Sequence, residues 1–109
     1  MELPDIIRLP EADLPVPSSV VKTSVLPSEH GQLVFFQILQ DMELPAHSHK
    51  GQWGTVLAGE IDLTIGDRSA TYRRGDSYFI PAGVVHSARV KAGAKIIEFF
   101  EEPDRYSLR

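Results

Sequence analysis

Short runs of alternating apolar and polar residues, broken by turn signals about every ten positions, constrain this chain more than any other feature. Apolar residues do not recur at helical spacing over any long stretch. Ile61-Asp62-Leu63-Thr64-Ile65 alternates strictly and runs into Gly66-Asp67, a two-residue hairpin signal. Comparable runs cover residues 20–26, 33–39, 52–57, 70–72, 77–80, 86–90 and 96–100. Pro27, Gly51, Ala58-Gly59, Arg74-Gly75-Asp76, Pro81-Ala82-Gly83 and Ala92-Gly93 separate them. The pattern predicts an all-β domain, a sandwich or a barrel.

With 109 residues there is room for one such core. Residues 1–19 read as an N-terminal arm, 20–102 as the barrel and 103–109 as a polar surface tail. The arm carries Pro4, Pro10, Pro15 and Pro17, with one helical turn expected at 11–14. The chain has no cysteine, which excludes disulfides, thiolate metal sites and a cysteine nucleophile, and suits a reducing cytoplasm. No basic-then-apolar leader opens the sequence and no apolar stretch reaches membrane-spanning length, so a cytoplasmic location is expected. Fifteen acidic against eleven basic side chains, interspersed, leave no basic stripe for nucleic acid. The expected partners are a small molecule and a second copy of the chain, with neither nucleic acid nor membrane. A small barrel exposes edge strands, and the arm with residues 20–26 would cover one by pairing with a neighbouring copy.

The histidines carry the chemistry. His47 and His49 stand at i and i+2; on extended backbone both rings leave one face, with Cα atoms about 6.5 Å apart. Two imidazoles so placed can converge on one cation. Gln52 follows just after Gly51, where a turn would return its amide either to the ion or to the ion's water. His86 lies far along the chain, behind a glycine-proline-glycine framework that would bring it back to the same point. His30, beside a turn glycine, reads as an ordinary surface residue.

Gly75-Asp76-Ser77-Tyr78-Phe79-Ile80-Pro81-Ala82-Gly83-Val84-Val85-His86 resembles the second cupin motif, G-x5-P-x-G-x2-H, at every fixed position; the asparagine that follows in the motif is replaced by Val90. His47, His49 and Gly59 similarly match the first motif. Asp41 stands where that motif opens with glycine, and Gln52 where glutamate is usual, one residue early. The resemblance implies a jelly-roll β-barrel (a double-stranded β-helix) with one divalent transition ion, Zn, Ni, Fe, Mn or Co, on His47, His49, Gln52 and His86.

The chain is also similar to the pectin-degradation cupins that act on unsaturated uronates, whose metal is held by two histidines, a glutamine and a distant histidine. In those proteins an acidic residue, a phenylalanine two positions on and a downstream arginine line the substrate site. Here Glu98, Phe100 and Arg105 fall in like order, the arginine one residue further away. The resemblance makes Glu98 the candidate general base and Phe100 and Arg105 substrate contacts. An outward, solvated carboxylate is the alternative for Glu98, and core packing for Phe100. Trp53 and Tyr78 are further candidate walls, and alternation lets only one of Tyr78 and Phe79 face inward. Neutral ligands leave the ion's charge uncompensated, which favours a Lewis-acid enzyme acting on a small oxygen-rich metabolite, a sugar acid, keto or enol compound. A non-catalytic binding or sensing module and an Fe(II) dioxygenase are the alternatives.

Overall fold

The computed structural model describes residues 3–109. Among these residues nine strands form: β1 (Val21–Ser28), β2 (Gly31–Ile38), β3 (Met42–His47), β4 (Gln52–Ala58), β5 (Glu60–Ile65), β6 (Arg68–Arg73), β7 (Ser77–Ile80), β8 (His86–Val90) and β9 (Lys95–Phe100). They make two antiparallel sheets, ordered β1-β2-β9-β4-β7 and β3-β8-β5-β6. The eight alternating runs each become a strand, and the all-β jelly-roll expectation holds. Ile65 pairs with Arg68 across Gly66-Asp67, and of these two turn residues Gly66 carries positive φ (61°) and Asp67 does not, the signature of a type II′ turn that follows the strands' twist.

The period-two pattern decides what faces inward. On β9, Ile96, Glu98 and Phe100 are buried, while on β8 His86, Ala88 and Val90 are. Val21, Ile38, Val56, Ile61, Leu63, Tyr78, Ile80 and Ala94 complete the main core, and Ala12, Val25, Val34 and Phe100 form a second cluster under the arm.

β3 is the strand that alternation does not show. Its sequence, Met42-Glu43-Leu44-Pro45-Ala46-His47, lacks a buried face and contains a proline. It survives because it lies at the edge of its sheet, where a missing N–H costs no ladder bond, and its register slips between Leu44 and His47.

Arm and tail depart from expectation. The helical turn at 11–14 is absent: Ala12 bridges Leu108, and its N–H donates to the buried Thr23 Oγ1 at 2.8 Å. The Asp13 N–H donates to the Ser107 carbonyl (2.7 Å), and the Arg109 guanidinium to the carbonyls of Leu14 and Val16 (3.1 and 3.2 Å). The tail is therefore not a free surface segment: its Tyr106 packs against the cluster that holds Ala12 and Phe100. Backbone pairing with the arm wins over local propensity because Pro15 has no N–H to close a helical turn on Glu11, whereas Thr23 and Ser107 offer acceptors to Ala12 and Asp13. Replacing Thr23 by valine keeps the volume and leaves the Ala12 N–H buried without an acceptor. The variant should lose about 1–3 kcal/mol of stability in urea unfolding and be cut faster by protease within the arm. Unchanged stability and cutting would show that the arm is held elsewhere.

Candidate metal centre

Strand register builds the histidine cluster. On the β3–β8 ladder His47 and His86 are direct partners, so two residues far apart in sequence face each other. His49 follows two positions after His47 on the same side. The three rings lie 4.2, 4.8 and 5.3 Å apart by centroid, and each offers a ligand atom within 4.8 Å of the others. The loop before His86 is tied to this point: the Gly83 N–H donates to the His49 carbonyl at 2.8 Å. Gly83 carries positive φ (79°) at the third position of a turn closed by Val84 N–H to Pro81, a conformation that suits glycine.

Backbone carbonyls set the tautomers. Nδ1 of His47 lies 2.8 Å from the Pro45 oxygen, Nδ1 of His49 2.7 Å from that of Lys50, and Nδ1 of His86 3.0 Å from that of Val84. A carbonyl only accepts, so each Nδ1 carries the proton and each Nε2 presents a lone pair. Burial, the largest influence, lowers the pKa of His49 and of His86, which favours the neutral ligating form.

Gln52 opens β4 and is buried. It stands opposite Phe100 on β9, while Gly54 stands opposite Glu98, so the Gln52 and Glu98 side chains meet diagonally on the inner face. The Gln52 amide N–H donates to Glu98 Oε2, and the Tyr78 hydroxyl donates to Glu98 Oε1 at 2.6 Å. Because a carboxylate accepts, the amide is fixed with its own oxygen turned away from Glu98. Among the described residues, the buried side-chain polar atoms without a partner are His49 Nε2, His86 Nε2, Gln52 Oε1 and Arg105 Nε. Three are lone-pair donors and one is a proton donor. Leaving them unpaired costs stability unless something fills the space between. The residues therefore fit a divalent transition ion held by three imidazoles and an amide oxygen.

A cavity of about 340 Å³ receives these groups, with Glu98, Phe100, Arg105 and Tyr106 on its lining. Glu98 is buried and inward, not solvated. Tyr78 is the inward member of its pair, 4 % exposed against 62 % for Phe79. Arg105 reaches the cavity despite its shifted spacing, with its guanidinium 4.6 Å from the Tyr106 ring centre and 5.6 Å from that of Phe100. Trp53 requires correction as a pocket wall: it does not line the cavity, because alternation on β4 turns it outward beside the inward Gln52.

Tyr78 lines the cavity as its sequence position suggests, and Gly54 is the functional position that the motifs do not mark. A side chain at Gly54 would sit 2.5 Å from the Tyr78 ring and hydroxyl, so the tyrosine crosses to Glu98 over the place where a Cβ would be. A glycine inside an alternating strand is the signal that marks such an approach.

Burial raises the Glu98 carboxyl to about 7, against the Tyr78 hydrogen bond and the Arg105 charge, both of which lower it. The folded value lies above the ordinary 4.5, so the folded state holds the proton more tightly than the unfolded chain. That contribution is complete below about 4.5 and disappears as pH rises to about 7. Urea unfolding of metal-free protein should therefore show wild type losing stability across this interval relative to Glu98→Gln. Parallel pH curves for the two would remove the buried, proton-holding carboxyl.

Comparison with known proteins places this arrangement in a known fold. KdgF from Halomonas sp. superposes with a TM-score of 0.67 at 17 % identity, covering 78 % of this chain and 82 % of that one. An RmlC-like cupin from Shewanella frigidimarina gives 0.71 at 23 %, covering 87 % and 86 %. AerE from Microcystis aeruginosa gives 0.73 at 23 %, covering 85 % of this chain and 46 % of its own. These identities establish likeness of fold alone. No curated protein sequence matches significantly. The family model of the cupin domain matches residues 34–100, a span that includes all three clustered histidines, Gln52 and Glu98. The chain belongs to the cupin family.

Proposed function

We propose that this cupin is a metal-dependent enzyme acting on a small keto or enol acid. One observation carries the reading. Unpaired lone-pair donors, His49 Nε2, His86 Nε2 and Gln52 Oε1, share a cavity with an unpaired proton donor, Arg105 Nε. The first set asks for a cation and the second for an anion, so cation and anionic ligand are held together. His47, His49, His86 and Gln52 would hold the ion, which would supply Lewis acidity toward a carbonyl or enol oxygen. All four donors are neutral and offset none of its charge, which favours anionic oxygen ligands and disfavours a trivalent state.

The remaining roles belong to the chain. Arg105, stacked on Tyr106 and Phe100, offers a planar donor to a carboxylate. Glu98, with its carboxyl near 7, can hold or release a proton at neutral pH at the cavity wall. Tyr78 and Gln52 occupy one Glu98 oxygen each and keep the group in one orientation.

Two copies are further proposed to associate through the outer face of the five-stranded sheet. Register aligns Leu26, Leu33, Phe99, Trp53 and Phe79 in one uncharged row across all five strands. Leu26 is 51 % exposed, Phe99 37 %, Trp53 40 % and Phe79 62 %. At about 150–250 Å² per aromatic side chain this leaves on the order of 300 Å² of bare aromatic surface. That is a large share of the roughly 800 Å² each partner gives to a stable interface.

Untagged protein should carry about one transition ion per chain, and His86→Ala should lower that content. If replacing His47, His49 and His86 together by alanine leaves the content unchanged, the proposed site is wrong. Glu98→Gln should keep the metal and lose turnover by about 10²- to 10⁴-fold. Full activity would remove Glu98 as acid or base, saturable binding without turnover would make the protein a binding module, and substrate-dependent oxygen uptake would make it a dioxygenase. Sedimentation should find a species of twice 12.1 kDa that Phe79→Glu dissociates; a wild-type species of 12.1 kDa would reject the dimer.

A further inference from the structure

The cavity has two unlike ends. Register places His86 beside His47 at one end of β8, and Val90 beside Met42 and Ile61 at the other. They are four positions apart along the strand, about 13 Å. Apart from two tyrosine hydroxyls, that of Tyr78, which is spent on Glu98, and that of Tyr106, the ionisable and amide side chains that meet in the cavity are the three histidines, Gln52, Glu98 and Arg105, and they gather toward the His86 end. The other end is walled by Val21, Ile38, Ile61, Leu63, Val90 and Ile96. Beyond these, the lining includes one more charged side chain, Glu43, which is exposed and paired with Arg89 at 3.3 Å. The wall strands spend their backbone N–H and C=O groups on the ladders of β5, β8, β4 and β9, leaving few for a ligand.

From this asymmetry we infer that the substrate is an amphipathic acid, a 2-oxo or enol carboxylate head on a hydrocarbon body, and not a polyhydroxylated sugar acid. The inference rests on the metal-centre reading above and specifies the ligand for it. At about 30 Å³ per water-sized group, 340 Å³ holds about eleven non-hydrogen atoms. Five of them serve as the oxo-carboxylate head, which leaves about six carbons for the apolar end. A sugar acid of equal size would carry hydroxyls along its body against the hydrocarbon of Val21, Ile38, Ile61, Leu63, Val90 and Ile96, while the Tyr78 hydroxyl is already spent on Glu98. Each hydroxyl so stranded weakens binding by about tenfold or more. Each methylene placed there instead strengthens it by about two- to fourfold.

The test is calorimetric binding of straight-chain 2-oxo acids, from 2-oxobutanoate to 2-oxooctanoate, and of galacturonate to the metal-loaded protein. Affinity should rise about two- to fourfold per methylene up to the eight-carbon acid, with galacturonate weaker than 2-oxooctanoate. Val90→Thr, nearly isosteric, should weaken 2-oxooctanoate several-fold and leave 2-oxobutanoate unchanged. A flat series, or galacturonate as the tighter ligand, overturns the proposal; if the variant does not fold, the wild-type series decides alone. Metal content reads the underlying site separately. Loss of chain-length dependence with metal retained defeats this inference only, whereas a protein that takes up no metal defeats the earlier reading.

Discussion

The molecule depends on one costly arrangement, a set of polar side chains carried into an apolar barrel and left without partners. Glu98 is central to it. Its two oxygens collect the Tyr78 hydroxyl and the Gln52 amide, so a buried carboxyl satisfies its neighbours while forcing the Gln52 oxygen to look elsewhere. The histidines are treated in the same way, each Nδ1 spent on a backbone carbonyl so that Nε2 remains open. Such an interior gains stability when the open atoms meet an ion or a ligand.

The two sheets divide the work. The four-stranded sheet brings His47 and His86 together by direct pairing, and the five-stranded sheet brings Gln52, Glu98 and Tyr78 together by diagonal neighbours on its inner face. Gly54 makes the second possible by leaving room for the tyrosine ring. Arm and tail fasten to each other beside the cavity, with Leu14, Val16, Arg105 and Tyr106 contributing to its lining. Both termini therefore supply part of the cavity wall.

Much of this was legible from residues alone. Alternation located eight strands, and the spacing of His47, His49 and His86 anticipated a cluster because an extended chain puts i and i+2 on one face. Three features were not legible. β3 shows no alternation because it lies at a sheet edge with little to bury, and a proline masks it further. Trp53 looks like a pocket wall beside Gln52, yet adjacency along a strand means opposite faces. The tail is polar in composition but packs, because Tyr106 and Arg105 fold back over Phe100.

By itself the amino-acid order determined period and punctuation: which segments extend, where they turn and which side chains share a face. These are local properties, set by backbone sterics and nearest-neighbour burial. Tertiary structure alone decided which strands became partners, and with that the opposition of His47 to His86 and of Gly54 to Glu98. It also decided that one end of the interior stays apolar while the other gathers the polar groups. Pairing between distant strands is chosen by the whole core at once, since each register must bury every inward side chain together.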